Sequence, residues 1–374
     1  MYVMLTRLYC DNYKCLVNFE FQPGATQLLM GRNGAGKSTV FEVLELIRDF
    51  AARGETCEDR LVGQTRTRWQ DLPDQRFELD VNGTLGKYTY ELVVDESGRP
   101  LRPRVKKERL SLEGKPLYLF EDGIVHLHND RFEDRTQFEF FPRRSFLAEI
   151  ESRPDNTKLM WFKSWLERLL CVQINPKRMR HDAEKEVLYP TADLSNFAEW
   201  YRHLRQDSSA ATDELRSSLR EVIDGFEGLD LKGPPSGTRL LQVAVRTGGA
   251  GKGKSQQYGF DELSDGQRAL VGLYTLLHCA LTDHSTLCID EPDNFVALRE
   301  IQPWLSDILD RAQGNGSQVL LISHHPELLN QLAPRNGVII ERTDAGPTRV
   351  RPFAPPDDWM LTPAEIIARG WEHA

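Results

Sequence analysis

The sequence predicts an α/β fold whose two halves are drawn from separate parts of the chain. Three observations carry that prediction. Residues 31–39 read GRNGAGKST, between an apolar strand-like run and a helical repeat. Two further apolar runs, 286–289 and 318–322, end on acidic residues and on histidines. Residues 77–130 hold short runs broken by turn residues, as an antiparallel β subdomain would.

Composition sets the outer bounds. The chain has 374 residues, 40% hydrophobic and 28% charged, with 47 Lys+Arg against 56 Asp+Glu and a net charge of −9. Such a chain can bury a substantial core, which excludes disordered and collagen-like classes. No run approaches the ~18 continuous apolar residues of a membrane span. The opening MYVMLTRLYCDNYK lacks the basic-then-apolar order of a secretory leader. The acidic balance argues against a protein that coats nucleic acid by bulk charge. Cys10, Cys15, Cys57, Cys171, Cys279 and Cys288 stand singly, with no C-x-x-C pair. Reduced thiols in a cytoplasmic protein are therefore expected, rather than a zinc ribbon or a disulfide frame.

The first element is a short apolar strand from Ala25 to Met30. Gly31, Arg32, Asn33, Gly34, Ala35, Gly36, Lys37, Ser38 and Thr39 then match GxxxxGK[ST] in full. Beyond them Val40, Phe41, Val43, Leu44, Leu46, Ile47 and Phe50 recur at helical spacing. A strand before and a helix after are the context of a phosphate-binding loop. Its glycines let backbone N–H groups converge on phosphate oxygens at the positive end of the helix. Lys37 would reach the β- and γ-phosphates, and Ser38 would ligate Mg²⁺.

In the second half, residues 286–289 (TLCI) form an apolar strand that delivers Asp290 and Glu291 at its end. A carboxylate there can hold the Mg²⁺ shell while its neighbour polarises a water. Residues 318–322 (QVLLI) form another buried-type strand, ending at Ser323, His324 and His325. A histidine in that place senses a γ-phosphate or simply ends a strand. Residues 262–268 (ELSDGQR) precede the helical run 269–281. Ser264 reads as an N-cap and Gly266 as a point of close backbone approach, serving either a plain helix cap or a ligand contact.

Between these halves, FELDV at 77–81 and the run 88–94 read as strands. From about 144 the pattern turns helical, over 158–170, after Ser195, and through Leu215, Leu219, Val222, Ile223 and Phe226. Trp161, Phe162 and Trp165 are read as core. No apolar heptad is sustained, which excludes a long coiled-coil arm. TGGAGKGKS at 247–255 fails the GxxxxGK[ST] test and reads as a flexible loop. His126 and His128 share a strand face, as metal ligands would, but no further ligand cluster supports them. Residues 99–109 hold Arg99, Arg102, Arg104, Lys106, Lys107 and Arg109 against Glu108, and Arg143, Arg144, Lys177, Arg178 and Arg180 add smaller clusters. These are a solvated hairpin face or patches that neutralise phosphates.

Taken together and in order, these segments resemble the ABC-type ATPases, whose LSGGQ signature is LSDGQ here at 263–267. Within that superfamily the chain is similar to the SMC/RecF/OLD-like branch. Leu5, Thr6, Arg7 and Leu8, with Asn12, Tyr13 and Lys14, resemble that branch's opening strand. ISHHPE at 322–327 resembles its THSPE segment. The resemblance implies a P-loop NTPase of ABC-ATPase type with a compact helical insertion, and ATP and Mg²⁺ as cofactors. It makes Lys37 and Ser38 the Walker A residues, Asp290 the Walker B carboxylate, Glu291 the general base and His324 the switch histidine. Ser264, Gly266 and Gln267 become signature contacts, and Lys14 lies near the nucleotide. Residues 292–299 depart from the pattern, lacking the "LD" of the D-loop, and Gln137 is the candidate for the Q-loop.

The implied organisation is a split ATPase head over 1–144 and 231–345, a helical insertion over 145–230 and a C-terminal tail over 346–374. The implied assembly is a head-to-tail homodimer sandwiching two ATP molecules, with no membrane attachment. Short stand-alone ATPases of Septu (PtuA-like) and retron-associated defence systems are similar. They imply a partner effector or nuclease and contact with double-stranded DNA. A RecF-type repair ATPase and a transporter subunit are the alternative uses of the same engine.

Overall fold

The computed structural model describes residues 3–61, 65–96, 102–234, 237–247, 253–354 and 361–370. Its centre is a six-stranded sheet. Leu169–Val172, Thr286–Asp290, Gln318–Ile322, Thr26–Met30 and Gly337–Glu341 run parallel in that order, and Arg349–Pro352 closes the edge antiparallel. Both faces are covered, which is why these strands read as unbroken apolar runs rather than alternating ones.

The strand period of two divides the sheet's side chains between two cores. Leu28, Leu287, Ile289, Val319 and Leu321 pack with the helices Asp265–Thr275 and Leu298–Asn315. Leu29, Cys288, Leu320 and Ile322 pack with the helix Lys37–Ala51 and a second, antiparallel sheet. That sheet has eight strands in the order Phe19–Phe21, Met4–Asp11, Asp74–Gly83, Gly86–Asp95, Arg104–Leu112, Lys115–Glu121, Ile124–His128 and Asp134–Glu139. The helix Thr157–Glu167 lies on it. Trp161 stacks on Tyr88 at 4.8 Å, Phe162 lies 5.7 Å from Tyr90, and Phe162 and Trp165 are fully buried. The aromatic stripe is core.

Three regions differ from the sequence reading. Residues 145–230 include the strand Leu169–Val172, a full member of the parallel sheet, and the strand Asp182–Ala183. Four buried apolar residues directly after a helix cannot be separated from it by periodicity. Residues 346–374 contain the edge strand Arg349–Pro352 and a short helix, Pro363–Ala368, whose Ala364 N–H donates to Asn330 Oδ1 at 3.0 Å. Residues 248–252 of the 247–255 segment, and Arg99 of the basic run, lie outside the described residues. Lys254–Gly259 pairs antiparallel with Arg239–Thr247, so the flanks of that segment are hairpin strands. Among the described residues no helix is long and apolar enough to cross a membrane.

One buried side chain joins the two sheets. Gln318 has no solvent exposure; its amide donates to the carbonyls of Leu5 (2.9 Å) and Gly24 (2.8 Å). Its oxygen accepts from the Leu5 N–H at 3.0 Å and from Thr286 Oγ1 at 3.3 Å. Leu5 belongs to the antiparallel sheet and Gln318 to the parallel one. Gln318→Leu would strand both Leu5 backbone groups in an apolar site. Urea denaturation should show a loss of about 3 kcal/mol; a midpoint equal to the parent's would contradict the clasp.

Candidate functional site

Three glycines shape the loop after Thr26–Met30. Gly31, Gly34 and Gly36 have φ of 144°, 77° and 104°, a range that side chains disfavour. Space matters as well at two of them. A Cβ on Gly31 would fall 2.0 Å from the Ile340 carbonyl oxygen, and one on Gly36 would fall 2.7 Å from Thr348 Oγ1. Gly36 flanks the start of Lys37–Ala51 without a side-chain cap, so the first N–H groups of that helix are left for an anion. Lys37 is 7% exposed, and its Nζ donates to the carbonyls of Gly31 (2.7 Å) and Arg32 (3.1 Å). Burial lowers its pKa, opposed by the charges of Asp290 and Glu291. Thr348 Oγ1 donates to the Ala35 carbonyl at 2.9 Å, so the C-terminal segment props the loop from behind.

The parallel sheet brings the second motif to the first. Asp290 pairs with Ile322, and Ile322 with Leu29, so all three strands end level at the loop. Ser38 Oγ donates to Asp290 Oδ2 at 2.6 Å across 252 residues of sequence. Asp290 is 6% exposed, and burial raises its pKa, with the Glu291 charge adding to the shift and Ser38 and Lys37 opposing it. A hydroxyl beside a buried carboxylate is an oxygen donor set suited to a hard divalent cation, so these residues fit Mg²⁺. Glu291 sits at φ 51°, its N–H donating to the Ile322 carbonyl at 2.8 Å and its Oε2 accepting from Asn294 at 2.6 Å.

The two histidines divide their work. His325 caps the helix Pro326–Asn336, its Nδ1 accepting from the Glu327 N–H at 3.2 Å. His324 follows the strand Gln318–Ile322 without lining the cavity that holds Lys37 and Glu291; burial and the Lys37 charge lower its pKa, and Glu291 and Asp293 oppose them.

A cavity of about 670 Å³ unites Lys37, Ser38, Asp290 and Glu291. Lys14, Asn33, Gly34, Gly36, Lys37, Ser38, Thr39, Asp290 and Glu291 line it as the motifs led one to expect. Lys14 Nζ is paired there with Glu42 at 2.5 Å. Arg32 and Ala35 line an adjoining cavity of about 650 Å³ with Gly31. Six residues of the main cavity were not anticipated: Cys15, Arg66, Arg68, Trp69, Gln173 and Arg342. Gln173 follows the strand Leu169–Val172, which Arg48 of the loop helix anchors by donating to the Leu169 carbonyl at 3.2 Å. Gln137, the expected Q-loop residue, instead lies on the outermost strand of the antiparallel sheet and donates to Asp134 at 2.9 Å. Gln173, at the end of the strand beside Thr286–Asp290, lines the cavity instead.

Ser264, Gly266 and Gln267 do not line this cavity. Ser264 Oγ accepts from the Gln267 N–H at 3.3 Å, and Gln267 Oε1 accepts from the Ser264 N–H at 3.1 Å, a capping box on the helix Asp265–Thr275. Ser264 is exposed. Among the described residues no group of three His, Cys, Asp or Glu could hold a metal, and His126 and His128 have no such company. The basic clusters are largely paired. Arg104 meets Asp95, Lys106 meets Asp74, Lys107 meets Glu91, Arg144 meets Glu149 and Arg178 meets Asp193, all within 3.2 Å.

Comparisons with known proteins bear on the fold and on part of the chain. Residues 176–330 match the family described as "AAA domain, putative AbiEii toxin, Type IV TA system". That span holds Ser264, Asp290, Glu291 and His324. A crystal structure of the SMC head bound to the C-winged helix domain of ScpA superposes with a TM-score of 0.56 and 11% identity, over 93% of this chain and 96% of that one. The chain has the fold of an SMC head. The SMC head domain from Thermotoga maritima aligns at a TM-score of 0.46 and 12% identity, over 94% and 99% of the two chains. No curated protein matches. Into that fold the chain builds the strand–glycine loop–helix arrangement of residues 26–51.

The glycines give a paired prediction. Gly34 has open space around it, so Gly34→Ala should cost only its left-handed strain, about 1–2 kcal/mol. Gly31→Ala meets a carbonyl and should lower the urea midpoint well below that of Gly34→Ala. Equal urea midpoints for the two variants would contradict the loop geometry.

Proposed function

We propose that the protein binds ATP with Mg²⁺ and hydrolyses it to ADP and phosphate. The Ser38–Asp290 hydrogen bond carries this reading, because it joins the hydroxyl and the carboxylate of two distant motifs at one point beside Lys37. Lys37 would leave the loop carbonyls for the β- and γ-phosphates, and Ser38 and Asp290 would open to hold the metal. Mg²⁺ held there neutralises charge on the phosphate oxygens. Glu291 orients and deprotonates the attacking water, and His324 contacts the γ-phosphate. Gln173, which lines the same cavity, would report whether that phosphate is present. Lys14 borders the same nucleotide.

The active form is a head-to-tail dimer holding two nucleotides between its protomers. Supporting this, Ser264, Gly266 and Gln267 stand outside their own chain's cavity on an exposed helix start, where Ser264 can cap a γ-phosphate held by a second copy. A Cβ on Gly266 would meet the Phe295 carbonyl at 2.9 Å, so the signature backs directly onto the segment after Glu291. Part of such an interface is nucleotide, so hydrolysis would open it and move attached elements.

In the cell this engine would regulate a partner effector, such as a nuclease, in bacterial anti-phage defence. The toxin–antitoxin wording of the matched family and the partner-bound state of the similar SMC head support that placement. Double-stranded DNA ranks second as a partner, since most of the basic clusters are already paired with carboxylates.

Lys37→Ala should lose ATP binding in equilibrium dialysis. Glu291→Gln should bind ATP, elute as a stable dimer and hydrolyse about 100-fold more slowly or worse. Hydrolysis by Glu291→Gln at the parental rate would sink the assignment of the base.

A further inference from the structure

The cavity lined by the phosphate loop also holds a large aromatic surface that phosphate chemistry does not use. Trp69 is 50% exposed, although most of this chain's large aromatic side chains are buried. It sits on a segment that is fastened down. Asn12, with no solvent exposure, donates to the carbonyls of Leu72 (2.8 Å) and Asp74 (2.9 Å) and accepts from the Thr67 N–H at 3.2 Å. The Lys14 N–H donates to the Thr65 carbonyl at 2.6 Å. The indole is therefore presented by a fixed segment on both sides.

Arg342 is fixed just as firmly. Its guanidinium carbon lies over the Trp69 ring at 5.7 Å. Its Nε donates to the Gly346 carbonyl (2.8 Å), Nη2 to that of Ala345 (2.7 Å) and Nη1 to that of Gly34 (3.3 Å). Residues 343–346 form a tight turn closed by the Gly346 N–H to the Thr343 carbonyl at 2.8 Å. Asp344 and Ala345 both hold left-handed backbone there, at φ 50° and 58°, a conformation non-glycine residues adopt at a cost. The strained turn aims two carbonyls at one guanidinium. That guanidinium in turn bonds the phosphate loop at Gly34 and lies over the indole. A single side chain spans the distance from loop to ring, so the ring lies within reach of a nucleoside whose phosphates occupy the loop.

We propose that Trp69, backed by Arg342, is the base platform of this site: a purine base stacks on the exposed indole while its phosphates rest on residues 31–39. The inference rests on the nucleotide-binding reading above and names the part of the ligand that the motifs leave unaddressed. Stacking on a rigid aromatic is open to any base, and the larger purine ring gains more from it. Arg342 acts as a positioning residue, stiffening the indole by a cation–π contact and tying its place to that of the loop.

The test compares ATP with inorganic tripolyphosphate, which carries the phosphates without a base. Binding is measured by calorimetry and tryptophan fluorescence on the full chain, its Trp69→Ala variant and its Trp69→Phe variant. The parent should bind ATP more tightly than tripolyphosphate, with ATP quenching fluorescence. Trp69→Ala should weaken ATP about tenfold while leaving tripolyphosphate unchanged, which also shows that the variant is folded. Trp69→Phe should keep ATP affinity within about threefold and lose most of the quench. An unchanged ratio of the two affinities in Trp69→Ala overturns the platform and leaves the phosphate loop standing. A parent that binds neither ligand overturns the platform and the nucleotide-binding reading together.

Discussion

The hydrogen bond from Ser38 to Asp290 is the constraint around which the rest of the structure is arranged. Forming it requires a strand from the first fifth of the chain and one from the last quarter to end at the same height. The sheet achieves this through an intermediary: Asp290 registers with Ile322, and Ile322 with Leu29. At the far end of the middle strand Gln318 binds both backbone groups of Leu5, which fixes the antiparallel sheet against the parallel one. The chemistry at one end of Gln318–Ile322 and the sheet contact at the other are held by the same five residues.

Part of the chain's conformational strain lies at the main cavity, its neighbour and the segment beside them. Lys14, Glu291, Asp344 and Ala345 all hold left-handed backbone without being glycine, and Asn12 beside Lys14 does the same. Each such residue costs on the order of 1–3 kcal/mol unless its surroundings fix it. Here they do. Glu291 is pinned by the Ile322 carbonyl, Lys14 by that of Thr65, and the Asp344–Ala345 turn by Arg342. Burial adds a charge imbalance, lowering the pKa of Lys37 and raising that of Asp290. Phosphates and a divalent cation would each relieve one side of it.

What was legible in the sequence was contiguous or ended on unusual residues. The glycine loop, Asp290–Glu291 and His324 each follow an apolar run that reads as a buried strand, and the fold brings the loop, Asp290 and Glu291 to one cavity, with His324 at the end of the strand between them. Gln173 escaped because its strand is four residues long and continues the apolar pattern of the helix before it. The C-terminal strand escaped because Arg349–Pro352 reads as polar, as an edge strand does. Trp69 and Arg342 meet only through tertiary structure, across a separation no local pattern encodes. The charge of the 99–109 run was legible, but its neutralisation was not, since Asp74, Asp95 and Glu91 approach it from other strands.

In the proposed dimer one complete site needs the phosphate loop of one protomer and the signature helix of another. Mixing Lys37→Ala with Ser264→Arg tests it most directly, each variant being inactive alone under the account. In their heterodimer one composite site retains both an intact Lys37 and an intact Ser264, so ATP hydrolysis should reappear on mixing and rise with the concentration of either variant. Mixtures that stay as inactive as the separate variants, although Ser264→Arg still binds ATP, would contradict the shared site.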